Sequence, residues 1–418
     1  MHILYEIVIR LYILLIRAAA PFSDKAAIWV NGRNEWEKRL RKAIPAGGKV
    51  VWFHCASLGE FEQGRPIIEA VRKEYPDRFL LVSFFSPSGY EIRKNYSGAD
   101  FVSYLPADTM LNVNSFLDIS KPEIAVFIKY EFWYNFLREL DLRKIPVLLV
   151  SARFRRNQYF FKWYGGWFRK KLKHFTAIHV QDADSAELLK KAGYHKVMVS
   201  GDSRYDRVKA NAANPKNLPE IKKWLNGRNC FIAGSTWQAD DKLLLPWKHS
   251  STVLIIAPHE IDEERIEALE AAANGESIRY SELKRNPGID KNILILDNIG
   301  MLLSVYRLGI AAYVGGGLGK GLHNILEPAA CGLPVIFGPR HEKFPEAAAL
   351  EKAGGGKSIS TASEFDMAYK HFTHPKELKK FRNICLGFVS DRVGATHKIM
   401  ISIRKILTPK AAVLNNKG

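Results

Sequence analysis

A carboxylate at residue 60 is the first group in this chain placed to do chemistry. Val50-Val51-Trp52-Phe53-His54-Cys55 reads as a β-branched and aromatic strand, Ala56-Ser57-Leu58-Gly59 breaks it, and Glu60 arrives where a helix begins. Ligands of α/β proteins gather at the carboxyl ends of strands, which makes Glu60 a catalytic candidate. The alternative is that Glu60 only complements the dipole of the helix it opens.

A second cluster lies further on. Val314-Gly315-Gly316-Gly317-Leu318-Gly319-Lys320-Gly321 follows an apolar strand, and glycines there allow a tight turn and close backbone approach to a ligand. A P-loop is excluded, because Val314 stands where its first glycine belongs and no Ser or Thr follows Lys320. A dinucleotide fingerprint fits poorly, since it belongs in the first βα unit of a domain. Downstream, Asn324 can cap a helix whose free N–H groups suit a phosphate, and Glu327 can accept from ribose hydroxyls. Ordinary capping, with Glu327 as a dipole partner, is the alternative. Asp182-Ala183-Asp184 has the form of a metal-binding pair, but it sits between a strand and a helix, where capping accounts for it without metal.

Elements that position these groups alternate with regularity. Apolar runs at 49–55, 79–85, 101–105, 123–129, 146–151, 177–181 and 196–200 predict strands separated by helices. A polar, Pro- and Asn-containing stretch at 211–228 reads as a linker. A second series of strands follows at 230–234, 252–257, 277–280, 293–296, 311–315 and 334–337, with helices at 238–248, 261–273, 299–308, 324–331 and 345–353. The last fifty residues read as helical and end in a Lys-rich tail. The expected class is α/β: two Rossmann-like domains, 23–210 and 229–418, facing a cleft.

Composition bounds the partners. The chain has 418 residues, with 62 Lys and Arg against 43 Asp and Glu, a formal net charge of +19 that calls for an anionic partner. No zinc finger, RNA-recognition or basic-zipper signature is present, so nucleic acid is not expected. Cys55, Cys230, Cys331 and Cys385 are scattered without a C-x-x-C pair, which suits buried small apolar residues in a reducing compartment.

Residues 1–22 are strongly apolar but carry Glu6, Arg10 and Arg17, which fall on one stripe about 40° wide at helical spacing. Charges near a bilayer centre are costly, so the segment reads as an interfacial helix that anchors the protein to a membrane without crossing it. A helix packed on its own domain is the alternative. Arg153-Phe154-Arg155-Arg156 through Trp163-Tyr164 interleaves basic and aromatic residues, as a surface meeting phosphates and acyl chains would. A solvated helix with a core stripe is the alternative there.

Taken together, Gly315 to Pro339 and the His54-to-Glu60 run resemble the 3-deoxy-D-manno-octulosonic acid (Kdo) transferases, a GT-B glycosyltransferase family acting on lipid A precursors. The resemblance covers nearly the whole chain and implies CMP-Kdo as donor, a phosphorylated lipid A precursor as acceptor, the cytoplasmic face of the inner membrane as location, and no metal. It implies Glu60 as general base. Its Thr-Glu-apolar-Trp-Pro signature appears as Tyr130-Glu131-Phe132-Trp133-Tyr134, which gives Glu131 a transition-state role and leaves Lys129 where a Glu is usual. Its Gly-Asn-x-Lys-Phe-Asp motif appears as Gly201-Asp202-Ser203-Arg204-Tyr205-Asp206, with Arg204 as the cation. For nucleotide binding it implies Ser235 and Thr236, Pro258 and His259 (His for a usual Arg), Ile299, Gly300 and Met301 (Met for a usual Glu), and Asn324, Ile325, Leu326 and Glu327. The rivals are another GT-B lipid-linked glycosyltransferase, a sugar-nucleotide epimerase, and a non-enzymatic nucleotide-binding protein at a membrane.

Overall fold

Every paired strand runs parallel to its neighbours, and the reason is in the residues. The first sheet comprises β1 (Val50–Cys55), β2 (Phe79–Phe84), β3 (Phe101–Tyr104), β4 (Pro122–Ile128), β5 (Val147–Ala152), β6 (Ala177–Val180) and β7 (Val197–Val199). Its central strands are near-continuous apolar runs, and β1 and β5 are buried at every position. Strands of that kind must be covered on both faces, which crossover helices achieve. The structure, a computed structural model, describes residues 2–246, 252–286 and 289–408. The end of the expected helix 238–248 and the Lys-rich tail lie outside the described residues.

The first sheet has the order β3-β2-β1-β4-β5-β6-β7. In it Val51 pairs with Leu80 on one side and Ile124 on the other. The second sheet comprises β8 (Asn229–Thr236), β9 (Thr252–Pro258), β10 (Ser277–Arg279), β11 (Ile293–Ile295), β12 (Ala311–Val314), β13 (Val335–Phe337) and β14 (Gly356–Ser358), in the order β10-β11-β9-β8-β12-β13-β14. Both are Rossmann-like. The expected strands are all present within a residue or two, and β14, only three residues long, is the one the pattern does not reveal.

Domain boundaries differ from the sequence expectation in two ways. Residues up to Asp206 form one compact unit together with the segment from Val393, and Arg207–Arg392 form the other. The last helix, Ala395–Leu407, therefore belongs to the first unit rather than closing a domain 229–418. Its Ile399, Met400, Ile403 and Leu407 complete the apolar cover of one face of the first sheet. Asp206 caps its start, accepting from Thr396 N at 2.7 Å, and Arg404 pairs with Glu74 at 2.6 and 2.7 Å. Nor is 211–228 a bare linker. It contains the helix Pro219–Leu225, whose Ile221, Trp224 and Leu225 are buried.

Residues 2–19 form a helix, His2–Ala19, and it packs on the first unit. Tyr5, Glu6, Ile9, Ile13 and Ile16 are half-buried, whereas Ile3, Leu4, Ile7, Val8, Leu11, Leu14 and Leu15 face outward. The helix is thus apolar on two opposite faces, with Glu6, Arg10 and Arg17 between them. Among the described residues no helix is long and apolar enough to cross a membrane.

Candidate active site

In an open parallel sheet, ligands bind where the strand order reverses, beyond the carboxyl ends of the two strands flanking that point. The first sheet reverses between β1 and β4, and Glu60 follows β1 while Glu131 follows β4. Topology brings together two carboxylates 71 residues apart in sequence (131 − 60). The second sheet reverses between β8 and β12: Ser235–Thr236 end β8, and the glycine loop 315–321 follows β12.

Glu60 lies in the first turn of the helix Leu58–Glu74. Its Oε2 accepts the Ala56 N–H at 2.6 Å, so the helix-start reading holds as far as geometry goes. It is not the whole account. Burial and the negative charge of Glu131 push the Glu60 carboxyl up to about 8, against the pull of the Ala56 N–H, Lys129 and the Ser57 N–H. A half-buried carboxyl titrating near neutrality, at a strand end, is suited to take a proton.

Glu131 is buried and held from two sides. Its Oε2 accepts from Trp133 Nε1 at 2.5 Å and lies 3.0 Å from His54 Nε2. His54 is fully buried on β1, and its Nδ1 lies 2.9 Å from Ser83 Oγ, which accepts from Trp52 Nε1 at 2.8 Å. One proton arrangement satisfies the chain: Trp52 N–H to Ser83, Ser83 O–H to His54 Nδ1, and His54 Nε2–H to Glu131. Sequence reasoning gave His54 no role. The signal was present, a lone His inside an apolar strand, but its partner is far away in sequence.

Lys129 adopts a left-handed backbone, φ 70°, immediately after β4. Ser151 in β5 and Ser235 in β8 do the same, with φ 54° and 55°. Non-glycine residues in this region are strained and cluster at functional sites. Lys129 Nζ lies 5.5 Å from the Tyr130 ring centroid, and its charge acts on Glu60. Arg204 is fixed by Asp202, whose Oδ2 accepts from its Nε at 2.9 Å and from its second guanidinium arm at 2.7 Å. Neighbouring Ser203 donates to the main-chain oxygen of Gln63, in the helix that Glu60 opens.

In the second unit Asp240, also absent from the expected site, ties the two loops at the switch point together. Its Oδ2 accepts from Trp237 N at 2.8 Å and Gly316 N at 3.0 Å, and its Oδ1 accepts from Tyr313 Oη at 2.6 Å. Gly316 has φ 88°, and a Cβ there would lie 2.2 Å from the Gly321 carbonyl oxygen, so no other residue fits. Beside this loop the rings of Trp237, His259 and His323 stack, with His259–His323 centroids 4.2 Å apart and Trp237–His259 centroids 4.7 Å apart. Trp237 Nε1 donates to His323 Nε2 at 2.9 Å, and Lys320 Nζ sits 3.7 Å over the Trp237 ring. Desolvation lowers both histidines, His323 to about 4 with help from His259.

The remaining expected nucleotide contacts divide by burial. Thr236, Pro258, Met301, Ile325 and Leu326 have buried side chains, which leaves only their main-chain groups to meet a ligand. Ser235 is half-buried, while His259, Ile299, Gly300 and Asn324 are exposed. Asn324 Oδ1 accepts the Leu326 N–H at 3.1 Å, and its amide donates to Glu327 Oε1 at 3.1 Å. The helix it precedes, Leu326–Ala330, has only five residues, so its dipole is small. Burial raises the Glu327 carboxyl, opposed by the charge of Arg207.

Asp182 caps the helix Ala183–Lys191, accepting from Ser185 N at 2.7 Å, and pairs with Arg153 at 3.2 Å. Among the described residues no group of three or more His, Cys, Asp or Glu side chains is placed to hold a metal ion. The basic and aromatic stretch splits: Phe154 and Phe160 belong to the core, while Trp163 is 92% exposed and Tyr164 56%. All four cysteines are buried and free, as composition suggested.

Known proteins resemble this chain in the same parts. The family model described as 3-deoxy-D-manno-octulosonic-acid transferase (kdotransferase) matches residues 34–207. The 3-deoxy-D-manno-octulosonic acid transferase of Haemophilus influenzae is 26% identical over 374 residues, covering 85% of this chain and 87% of that protein. That of Aquifex aeolicus is 28% identical over 324 residues, covering 75% and 83%. Among solved structures, UDP-GlcNAc 2-epimerase from Neisseria meningitidis bound to UDP-GlcNAc is similar with a TM-score of 0.58 at 15% identity, over 85% of this chain and 100% of that one. The UDP-GlcNAc 2-epimerase from Methanocaldococcus jannaschii gives a TM-score of 0.52 at 14% identity, over 85% and 99%. These last two likenesses speak to the GT-B fold alone. The sequence relatives that span most of this chain are thus 3-deoxy-D-manno-octulosonic acid transferases, and its residues 34–207 match the model of that family.

Proposed function

We propose that this protein transfers Kdo from CMP-Kdo to a phosphorylated lipid A precursor by a single inverting displacement, with Glu60 as general base. The observation that carries this reading is the pair Glu60 and Glu131 at the switch point of the first sheet, with the Glu60 carboxyl raised by burial and by its neighbour. Glu60 takes the proton of an acceptor sugar hydroxyl as that oxygen bonds to the anomeric carbon of Kdo. The bond from that carbon to the phosphate oxygen breaks, and its electron pair leaves with CMP. Glu131, fixed by His54 and Trp133, supplies negative charge beside the positive charge that develops on the sugar. Charge on the departing phosphate falls to the donors around the glycine loop and the Asn324–Glu327 segment.

In this reading no metal takes part and chelation leaves transfer intact. An epimerase is not favoured, because the curated relatives are Kdo transferases and the epimerase likeness is one of fold. The outward face of the helix His2–Ala19 seats the protein on the cytoplasmic face of the inner membrane. Ile3 is 78% exposed and Leu15 68%, and the net charge of +19 complements anionic headgroups. The test incubates the protein with CMP-Kdo and a tetraacylated lipid A precursor, with and without EDTA, and weighs the products. A mass gain of one or more Kdo residues supports the reading, and none overturns it.

A further inference from the structure

The N-terminal helix reaches the Glu131 loop by two separate routes. Along the first, Tyr5 Oη donates to Asp108 Oδ2 at 2.6 Å, and Asp108 is fully buried. The same carboxylate caps the helix Tyr134–Leu142, accepting from Asn135 N at 3.1 Å and Phe136 N at 3.0 Å. Asn135 in turn donates from its side-chain amide to Glu6 Oε2 at 3.0 Å and to the Asp108 carbonyl at 2.6 Å. The helix His2–Ala19 thus grips the start of the helix that ends the Glu131 loop.

The second route is aromatic. Tyr12 stacks on Phe85, with centroids 6.4 Å apart and an interplanar angle of 22°. Phe85 meets Trp133 at 4.5 Å, and Trp133 donates its indole N–H to Glu131. Phe85 is itself pinned, because Arg33 donates to its carbonyl at 2.7 Å and lies 3.8 Å over the Trp29 ring. A helix needed only as a tether has no use for polar contacts into a buried carboxylate or for a ring in line with the indole that holds Glu131.

We propose that the helix His2–Ala19 is a positioning element of the active site, with Tyr5 and Tyr12 as positioning residues that set Trp133 and Glu131. Seating the outward face of the same helix on a membrane then couples attachment to the placement of Glu131. This inference rests on the transferase reading of the Glu60–Glu131 pair.

The test uses full-length Tyr12→Ala, Tyr12→Phe and Tyr5→Phe proteins. Transfer is measured with CMP-Kdo and lipid A precursor in detergent micelles, where a membrane tether is not needed. Tyr12→Ala and Tyr5→Phe are expected to lower kcat about tenfold or more with the KM for CMP-Kdo retained, as small misplacements of reacting groups do. Tyr12→Phe, which keeps the ring, restores the rate of the alanine variant toward that of the unaltered protein. A kcat equal to the unaltered protein's in both Tyr12→Ala and Tyr5→Phe overturns the positioning role. Amide hydrogen exchange gives a readout independent of turnover: the loop 129–133 and the first turn of the helix Tyr134–Leu142 exchange faster in both variants, and unchanged exchange also overturns it. Absence of transfer by the unaltered protein refutes the transferase reading instead, and the exchange result then decides the positioning role alone.

Discussion

His54 and Glu131 meet across 3.0 Å, one from inside β1 and the other from the loop after β4, at the point where the sheet reverses. The pair links the strand that delivers Glu60 to the carboxylate that acts on it. Replacing His54 by Ala leaves Glu131 and Ser83 each short of a partner. The expected cost is about 1–3 kcal/mol of stability, read by denaturant melts, together with reduced kcat and retained CMP binding. His54→Gln, which can still place an N–H near Glu131, is expected to recover part of the rate. Full activity in His54→Ala removes the histidine from the site.

A conservative substitution separates the helix-start contact of Glu60 from its proposed role as base. Glu60→Gln keeps a side-chain oxygen for the Ala56 N–H but removes the base. Transfer is expected to fall by about 10²–10⁴-fold with CMP binding unchanged, the range typical of a lost general base. Near-normal turnover in Glu60→Gln or Glu60→Ala would show that Glu60 is only a helix cap.

The pH profile follows from the direction of the Glu60 shift. As the proposed base, Glu60 works only when ionised, so kcat is expected to rise with pH through about 8 and to level above it. Glu131→Gln removes the neighbouring negative charge, so the surviving activity has its acid limb displaced to lower pH. A limb that stays in place means that another group titrates.

Asp108 makes the corresponding statement about stability. Burial raises its carboxyl to about 7 in the folded protein, above its ordinary value. A raised folded value favours the protonated form, so this contribution to stability is fully present in acid and is lost as pH rises through about 7. The melting temperature of the unaltered protein is expected to drop across that range more steeply than that of Asp108→Asn. Parallel curves would assign the slope elsewhere.

At the nucleotide end, His259 stands where the family pattern has Arg, and its lowered titration leaves it uncharged at neutral pH. His259→Arg restores a permanent cation. Calorimetric titration with CMP is expected to show tighter binding with a steeper salt dependence. Unchanged affinity and salt slope would mean that the Trp237–His259–His323 stack does not meet the phosphate.

Arg204 shows how a departure from a family motif can be internally consistent. Its motif has Asn and Lys where this chain has Asp202 and Arg204, and the two replacements form an ion pair with each other. The sequence analysis gave Arg204 as the cation of its motif and did not foresee the pairing with Asp202, two residues away. Met301 and Ile325, which also depart from the family pattern, have side chains buried in the core.

The sequence by itself determined the alternation of strands and helices, the acid after β1, the glycine loop after β12 and the stripe of charges on the first helix. Each of these is a short-range signal, written in residue type and spacing within a dozen positions. Tertiary structure alone decided which distant groups meet. Glu131 finds His54 across 77 residues and Asp108 finds Tyr5 across 103, while the last helix returns to cover the first sheet. Hydrophobic periodicity says that a face must be buried but not against what, because burial is non-directional. The partners of a buried polar group are set by where the chain crosses over, and so what the inward side of the first helix meets, Asp108 through Tyr5 and Phe85 through Tyr12, became legible only in three dimensions.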